Sequence, residues 1–317
     1  MCSSDLDISA LLRGMIESNR GSGRIRVTLE DKDIERFAHA ALGLTLHEAE
    51  NAFARAMVRD AALTPDDIDM IYEEKRQIVG KSGILEFVKS DVRIEDVGGL
   101  GNLKRWLKKR DKSWLDSAQK YALPAPKGVL VTGIPGCGKS LLAKAIGAAW
   151  QLPLLRLDVG RIFGSYIGQS EENLRNALRT AEAVSPSILW VDEIEKGFAK
   201  GGEGDGGTST RIFATFLTWM QERAKPVFVI ATANDISALP PEMLRKGRFD
   251  EIFFVDLPTK RERADIFRLH MGRRLKDPAI AGTVRASDEG CAKLAEATEG
   301  FIGAEIEQVV VAALFEA

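Results

Sequence analysis

The 317-residue sequence has few cysteines, little net charge and no long apolar run. Its three cysteines, Cys2, Cys137 and Cys291, lie far apart and have neither metal-ligand spacing nor the even number of a disulfide framework. No apolar run approaches the roughly 20 residues of a membrane span, and the first residues lack the basic and apolar regions of a secretory signal. A formal net charge of −2 gives no global field that would attract nucleic acid or an acidic membrane. These absences predict a protein of a reducing, cytoplasmic compartment without a membrane partner, and they argue against a nucleic-acid partner.

What the sequence does contain is typical of a globular protein of two or three domains. Hydrophobic residues make up 45% and charged residues 28% of the chain, which argues against wholesale disorder. Residues 1–90 have the apolar spacing of helices, strands alternate with helices from Gly128, and the chain past Pro258 is helical again. We therefore predict a helical N-terminal region (1–90), a large α/β subdomain (91–257) and a helical lid (258–317), which we expect to be truncated inside its last helix.

Five short apolar runs separated by helical segments predict the sheet of the α/β subdomain. Their lack of alternation is typical of strands that are buried on both faces, as in parallel sheets. Helices between the strands imply a parallel sheet that is covered on both faces. The predicted strands are Gly128–Thr132, Leu154–Leu157, Ser187–Val191, Val227–Thr232 and Ile252–Val255.

A weak internal repeat relates the N-terminal region to the lid. Residues 43–52 (GLTLHEAENA) parallel residues 300–309 (GFIGAEIEQV), and an alanine-rich helical segment precedes each. Two amphipathic helical hairpins would resemble each other in this way without a common origin. Alternatively, the N-terminal region is the lid remnant of a degenerate module whose own nucleotide-binding half is absent from this sequence.

The segment Gly133–Ser140 (GIPGCGKS) matches the phosphate-binding loop pattern in full. It follows a predicted strand and opens a predicted helix, which is the structural context that confirms this motif. Glycines allow the loop to turn successive N–H groups inward, and the N-terminus of the helix adds the positive end of its dipole. Lys139 is expected to contact the β- and γ-phosphates of ATP, and the Ser140 hydroxyl to bind Mg²⁺.

Two further strand ends supply groups that hydrolysis needs. The apolar run Ile188–Val191 ends in Asp192 and Glu193, at the carboxyl edge where α/β sheets bind their ligands. Asp192 is expected to hold Mg²⁺, directly or through water, and Glu193 to polarise the attacking water. Asn234 follows the next strand and can orient that water beside Glu193. The sequence therefore predicts Mg²⁺-dependent ATP hydrolysis.

Together these motifs resemble those of the AAA ATPases, a clade of the AAA+ superfamily, from about Ile94 to the end of the chain. The resemblance implies a P-loop NTPase fold with a helical lid and the strand order 5-1-4-3-2. It also implies that Arg245 and Arg248 are arginine fingers, donated to the ATP of a neighbouring subunit in a ring that is expected to be a hexamer. By the same resemblance, the nucleotide would be bound by Val97, Gly98, Pro135, Gly136, Cys137, Gly138, Lys139, Ser140, Leu141, His270, Gly303 and Ala304.

The resemblance further places Tyr166, Ile167 and Gly168 in a pore loop, which presents an aromatic side chain to a polypeptide in the central channel. The implied substrate is an unidentified protein that ATP hydrolysis remodels or regulates. Within the clade, the GIPGCGKS loop, Trp190 and residues 216–221 are similar to the AAA ATPase encoded by a hypothetical reading frame of algal plastid genomes, which also occurs in cyanobacteria. That similarity implies a bacterial cytosol or a plastid stroma as the location.

Two other functions fit parts of the sequence. The basic run at residues 104–112, which contains Trp106, would suit a nucleic-acid motor or loader, although such a run is more often the solvated face of a helix. A scaffold that uses ATP only to order an oligomer would not need hydrolysis, and the presence of Glu193, Arg245 and Arg248 argues against it.

Overall fold

The computed structural model describes residues 5–20, 25–42, 44–80, 83–90, 92–110, 125–162, 169–198, 208–275 and 288–316. The chain divides into two compact units, of which the first comprises Met1–Lys89, Gln151–Val191 and Lys200–Val229, and the second Ser90–Trp150, Asp192–Ala199 and Ile230–Ala317. The helices are α1 (Asp5–Arg20), α2 (Asp31–Ala41), α3 (Leu46–Asp60), α4 (Ile68–Gly80), α5 (Gly101–Lys108), α6 (Lys139–Trp150), α7 (Val159–Ile162), α8 (Gln169–Ala183), α9 (Ile194–Phe198), α10 (Thr208–Glu222), α11 (Lys260–Arg274), α12 (Asp288–Ala297) and α13 (Gly303–Glu316). The strands are β1 (Arg26–Val27), β2 (Ala62–Leu63), β3 (Leu85–Val88), β4 (Gly128–Gly133), β5 (Leu154–Leu157), β6 (Ser187–Val191), β7 (Val227–Ala233) and β8 (Glu251–Val255).

Helices α1 to α4 of the first unit pack around an apolar core of their own. Its fully buried members include Phe37 and Phe53, whose ring centroids lie 6.4 Å apart. The N-terminus of α3 is capped by Thr45, whose main-chain N–H donates to the Glu48 carboxylate at 2.8 Å while its hydroxyl accepts from the Glu48 N–H at 3.2 Å. Among the described residues, none of the helices has the length and apolar character that crossing a membrane requires.

In the part of the chain that the structure describes, the α/β part is built on a sheet of six strands rather than five. The first unit holds the order β3-β5-β6-β7 and the second the order β7-β4-β8, since β7 contributes residues to both. The pairs β5–β6 and β4–β8 are parallel, whereas β3 pairs antiparallel with β5 and places Leu85 opposite Leu157. The prediction of a purely parallel sheet of five strands in the order 5-1-4-3-2 was therefore incomplete.

Strand β3 was not predicted because its sequence lacks the pattern of a buried strand. Leu85 is buried, Glu86 is exposed, and Phe87 and Val88 are half-buried. An antiparallel edge strand needs only one apolar face, and this four-residue segment begins only five residues after the end of α4. Phe87 packs against Tyr72 of α4 with ring centroids 6.3 Å apart, which connects the strand to the N-terminal helices.

The lid helices α11 to α13 belong to the second unit and pack around Phe267, Cys291, Ile306 and Val310. The buried Arg263 of α11 donates from Nε and Nη2 to the Ala295 carbonyl at 3.0 and 2.8 Å. Its Nη1 donates to the Pro258 carbonyl at 2.8 Å. These three hydrogen bonds join α11 both to the end of α12 and to the segment that enters the lid.

Candidate active site

A cavity of about 520 Å³ opens beside the phosphate-binding loop and lies entirely within the second unit. This volume is within the usual range of small-molecule sites. The loop leaves β4, which is buried throughout, and leads into α6. Gly136 and Gly138 have φ values of 78° and 86°, a left-handed conformation that glycine adopts without steric cost. The loop's main chain can therefore turn its N–H groups toward an anion.

All twelve residues predicted to bind the nucleotide line this cavity, together with Asp192, Glu193 and Asn234. The structure adds lining residues that the sequence analysis did not single out: Asp96, Thr232, Ile266, Leu269 and Glu307. Some of these carried a usable signal, because Ile266 lies one helical turn before His270 on α11 and Thr232 shares a strand end with Asn234. The same holds for the two acidic residues, because Asp96 directly precedes Val97 and Glu307 lies one helical turn after Gly303 and Ala304 on α13.

Lys139 is 6% exposed and lies against the loop itself. Its Nζ donates to the carbonyl oxygens of Gly133 and Ile134 at 2.7 and 2.9 Å. Because burial penalises the ammonium, the pKa of Lys139 is lowered from its usual value despite the carboxylates nearby. Phosphate oxygens would offer this amine charged acceptors, which form stronger hydrogen bonds than neutral carbonyls do.

Asp192 connects the loop to the end of β7. Its Oδ1 accepts a hydrogen bond from the Ser140 hydroxyl at 3.0 Å and another from the Thr232 hydroxyl at 2.6 Å. Hydroxyl and carboxylate oxygens are hard ligands of the kind that Mg²⁺ prefers, alongside waters and substrate phosphates. The residues present therefore fit the predicted magnesium site.

Glu193 has a left-handed main chain with a φ of 48°, which is uncommon for a residue other than glycine. Two main-chain hydrogen bonds hold this conformation: the Glu193 N–H donates to Thr232 Oγ1 at 2.9 Å, and the Glu193 carbonyl accepts from the Lys196 N–H at 2.9 Å. In the side chain, Oε1 accepts from Asn234 Nδ2 at 2.9 Å, and Oε2 lies 2.5 Å from Lys196 Nζ. The hydrogen bond from Lys196, followed by that from Asn234, lowers the pKa of the Glu193 carboxyl.

Asn234 is itself held in place by a buried carboxylate. Its main-chain N–H donates to Glu195 Oε1 at 2.9 Å, and Glu195 is 9% exposed. Glu195 belongs to the short helix α9, which begins directly after Glu193. The first turn of α9 therefore fixes the asparagine that contacts Glu193.

The end of the cavity away from the loop is formed by the segment before α5 and by the lid. The Val97 carbonyl accepts a hydrogen bond from Lys104 Nζ, and Asp96 pairs with Arg273 at 2.9 Å. His270 is half-buried, with Nδ1 3.6 Å from Glu307 Oε1. Burial is the largest of the effects that lower the pKa of His270, which favours the neutral ring.

The lid contacts the phosphate loop through its last helix. The N–H of Ala304, in the first turn of α13, donates to the Gly136 carbonyl at 3.3 Å. The start of α13, with Gly303 and Ala304, therefore lies beside the phosphate loop.

The two predicted arginine fingers differ in their environment. Arg245 is exposed, whereas Arg248 is 9% exposed. Within the described part of the chain, neither Nε nor Nη1 of Arg248 has a hydrogen-bond partner. Neither arginine is among the described residues that line the cavity.

Other predicted features lie elsewhere. Tyr166, Ile167 and Gly168 lie outside the described residues. In the described part of the basic run, Lys104 donates to Val97, Arg105 pairs with Asn102 at 2.5 Å, and the Arg110 guanidinium lies 3.9 Å above the Trp106 ring. These cations are engaged within the protein, which weakens the case for a nucleic-acid groove.

Comparison with known proteins places this site among nucleotide-binding domains. The family model of the ATPase family associated with various cellular activities (AAA) matches residues 129–257, and the model of the SpoVK-like AAA ATPase, second domain, matches residues 6–82. The chain is 42% identical to the uncharacterized AAA domain-containing protein ycf46 of Trieres chinensis over 302 residues, which cover 95% of this chain and 59% of that protein.

Two further relatives extend the comparison. The protein of the same name from Pyropia yezoensis is 41% identical over 314 residues, which cover 99% of this chain and 62% of that protein. The cell division cycle protein 48 homolog of Archaeoglobus fulgidus is 34% identical over 306 residues, which cover 88% of this chain and 40% of that protein. The chain thus spans about three-fifths of the length of the two ycf46 relatives.

Proposed function

The chain belongs to the AAA+ superfamily and contains an ATP-hydrolysing domain, and from this premise we propose that the cavity hydrolyses Mg²⁺-bound ATP to remodel or regulate a protein substrate within a ring, expected to be a hexamer. The observation that carries the hydrolysis step is the presence of Glu193, Asn234 and the phosphate loop around one cavity. The proposed location is a bacterial cytosol or a plastid stroma.

The proposed mechanism divides the work between two sides of the cavity. On one side, the N–H groups of the loop and the N-terminus of α6 bind the phosphates, and Lys139 contacts them as a point charge. Ser140 and Asp192 would hold Mg²⁺, which supplies neutralisation of phosphate charge. On the other side, Glu193 polarises the attacking water and Asn234 orients it.

Substitution of Glu193 tests the hydrolysis proposal. We expect Glu193→Gln to lower kcat for phosphate release by about 10²- to 10⁴-fold, the usual contribution of a positioned general base, while ATP binding is retained. The matched control is Glu289→Gln, because Glu289 is an exposed glutamate of α12 that pairs with Lys293. Equal phosphate release from Glu193→Gln and the natural chain would show that hydrolysis is not the function of this site.

The environment of Arg248 supports a site shared between subunits. A buried guanidinium with unpaired nitrogens is costly, and an anion that reaches it from outside the chain would remove that cost. The ATP phosphate of a neighbouring subunit is such an anion, and the exposed Arg245 is free to approach it as well. Arginines of this kind accelerate phosphoryl transfer by about 10³- to 10⁵-fold.

Mixing two inactive variants tests this sharing. Glu193→Gln retains the arginines, and Arg245→Ala with Arg248→Ala retains Glu193, so a mixed ring contains interfaces with a complete site. About a quarter of the interfaces in a random equal mixture would be complete. Phosphate release should therefore rise from the rate of the separate variants toward that fraction of the natural rate. A mixture no more active than its two components would contradict action in trans.

The protein-substrate proposal rests on Tyr166 and on the family resemblance. We expect Tyr166→Ala to retain basal ATP hydrolysis and to lose any stimulation by a protein substrate. Stimulation of the variant equal to that of the natural chain would exclude Tyr166 as the contact with polypeptide.

The proposed domain organisation is an N-terminal region (1–90), an ATPase subdomain (91–257) and a lid (258–317), with the N-terminal region as the lid remnant of a degenerate module. The match of residues 6–82 to an AAA ATPase domain supports this, as does the similarity of two helix starts. Thr45 N–H donates to the Glu48 carboxylate at 2.8 Å, and Ile302 N–H donates to the Glu305 carboxylate at 2.8 Å. A chain with one intact module should bind a single ATP and lose it on Lys139→Ala, as calorimetric titration would measure.

A further inference from the structure

Both oxygens of the Glu193 carboxylate are engaged in the structure. Oε1 accepts from Asn234 Nδ2 at 2.9 Å, and Oε2 lies 2.5 Å from Lys196 Nζ. To polarise a water molecule, the carboxylate must accept from it, and an ammonium at this distance both competes with water for Oε2 and makes the carboxylate a weaker base. On the basis of the proposed function, we propose that Lys196 is a positioning residue that restrains Glu193, so that ATP hydrolysis proceeds only in the fraction of sites in which this ion pair is broken.

Lys196 is placed for this role by the local backbone. The left-handed main chain of Glu193 is followed at once by α9, which brings residue 196 back over residue 193. The Lys196 N–H donates to the Glu193 carbonyl at 2.9 Å. One residue thus contacts both the main chain and the side chain of Glu193.

Of the two partners of the carboxylate, Lys196 is the one that can leave. The Lys196 side chain is 68% exposed and the Glu193 side chain 41% exposed, so water can replace the contact on either side. Asn234, by contrast, is half-buried and is anchored through its N–H to the buried Glu195. The productive carboxylate therefore keeps its contact with Asn234 and exchanges Lys196 for water.

The expected effect is modest because an exposed ion pair is weak. Pairs of this kind shift an equilibrium by about 1.5- to 5-fold. Replacing Lys196 by methionine, which keeps an unbranched side chain and removes the charge, should release Oε2 without changing the phosphate loop. We expect Lys196→Met to raise kcat by about 1.5- to 5-fold and to leave KM for ATP within about twofold of that of the natural chain.

Two control variants separate this effect from a general change in surface charge. Lys196→Arg retains a cation at the same position and should keep the natural kcat. Lys293→Met removes a lysine that is also largely exposed and forms an i,i+4 pair with Glu289 at 2.9 Å on α12; this variant should keep the natural kcat as well. Thermal unfolding of each variant would check that the fold is retained, as expected for exposed side chains.

Steady-state phosphate release decides between the outcomes. A kcat raised in Lys196→Met and restored in Lys196→Arg supports the restraint. A Lys196→Met kcat equal to or below that of the natural chain overturns the restraint. The same holds if phosphate release is at the limit of detection for both proteins. If natural activity depends on Glu193 but not on Lys196, the proposed function stands and only the restraint fails. If phosphate release does not depend on Glu193, the proposed function itself fails.

Discussion

The Thr232 hydroxyl connects the two acidic residues of the candidate active site. It donates to Asp192 Oδ1 at 2.6 Å and accepts from the Glu193 N–H at 2.9 Å. Thr232 is 1% exposed, so water cannot replace either hydrogen bond. The substitution Thr232→Val keeps the shape of the side chain and exchanges the hydroxyl for a methyl group. We expect it to disturb Glu193 without altering the phosphate loop.

The size of the effect follows from what the hydroxyl holds. A hydrogen bond to a carboxylate contributes about 1.5–3 kcal/mol, and a buried N–H without an acceptor costs about 1–3 kcal/mol. The left-handed main chain of Glu193 costs a further 1–3 kcal/mol, roughly, and persists only while its surroundings hold it. If misplacement of Glu193 adds about 1.4–2.8 kcal/mol of this total to the activation free energy of hydrolysis, kcat falls by about 10- to 100-fold.

Three measurements on two variants check this reasoning. Phosphate release gives kcat, nucleotide titration gives the affinity for ATP, and urea unfolding reports whether the fold survives. Thr232→Ser is the matched control, since it retains the hydroxyl and loses only a methyl group. A Thr232→Val kcat within twofold of the Thr232→Ser value would refute the role assigned to the hydroxyl, and so would an affinity for ATP that falls as much as kcat does.

Three further substitutions test other parts of the structure. Burial lowers the pKa of Lys75 from 10.5 to about 7, and its amine has no hydrogen-bond partner among the described residues. The unfolded chain therefore holds a proton that the folded chain has lost between about pH 7 and 10.5, so stability rises with pH through that window. Lys75→Met should raise the free energy of unfolding by roughly 2–5 kcal/mol at pH 7 and progressively less toward pH 10. Urea unfolding at several pH values measures this gain, and a gain that does not change with pH would contradict the prediction. Lys89→Met, at an exposed lysine, serves as the control. Lysine at position 263 cannot reproduce the three hydrogen bonds to Ala295 and Pro258, so Arg263→Lys should lower the stability of the lid by about 2–4 kcal/mol in urea unfolding. The control is Arg268→Lys, at an exposed arginine, which should cost under about 0.5 kcal/mol. His270→Ala should weaken ATP binding by about 3- to 10-fold in a calorimetric titration, because it removes a half-buried ring from the cavity wall; unchanged affinity would remove His270 from the nucleotide site.

The sequence allowed the phosphate loop and the acidic strand end to be predicted because both are local patterns. A glycine-rich loop between a strand and a helix, and two carboxylates after an apolar run, need no knowledge of distant contacts. The roles of Thr232, Glu195 and Lys196 could not be predicted in this way. They depend on the left-handed turn at Glu193 and on which side chains the end of β7 presents, and neither follows from composition or periodicity. Strand β3 was missed for a related reason, since four residues with one apolar face carry too little pattern.

The repeat between the N-terminal region and the lid shows why a local similarity does not decide function. Helices α3 and α13 begin with the same main-chain hydrogen bond to a glutamate three residues on, at Thr45 and at Ile302. At α13 the next residues are Gly303 and Ala304, and the Ala304 N–H contacts the phosphate loop. At α3 they are Leu46 and His47. Leu46 is 45% exposed, and His47 is exposed and accepts from Asn51 of its own helix. Helix α3 thus keeps the capping hydrogen bond of α13 but has bulkier side chains at the positions through which α13 approaches the phosphate loop. Under the lid-remnant proposal, this region has kept the residues that stabilise a lid and lost those that would serve an active site.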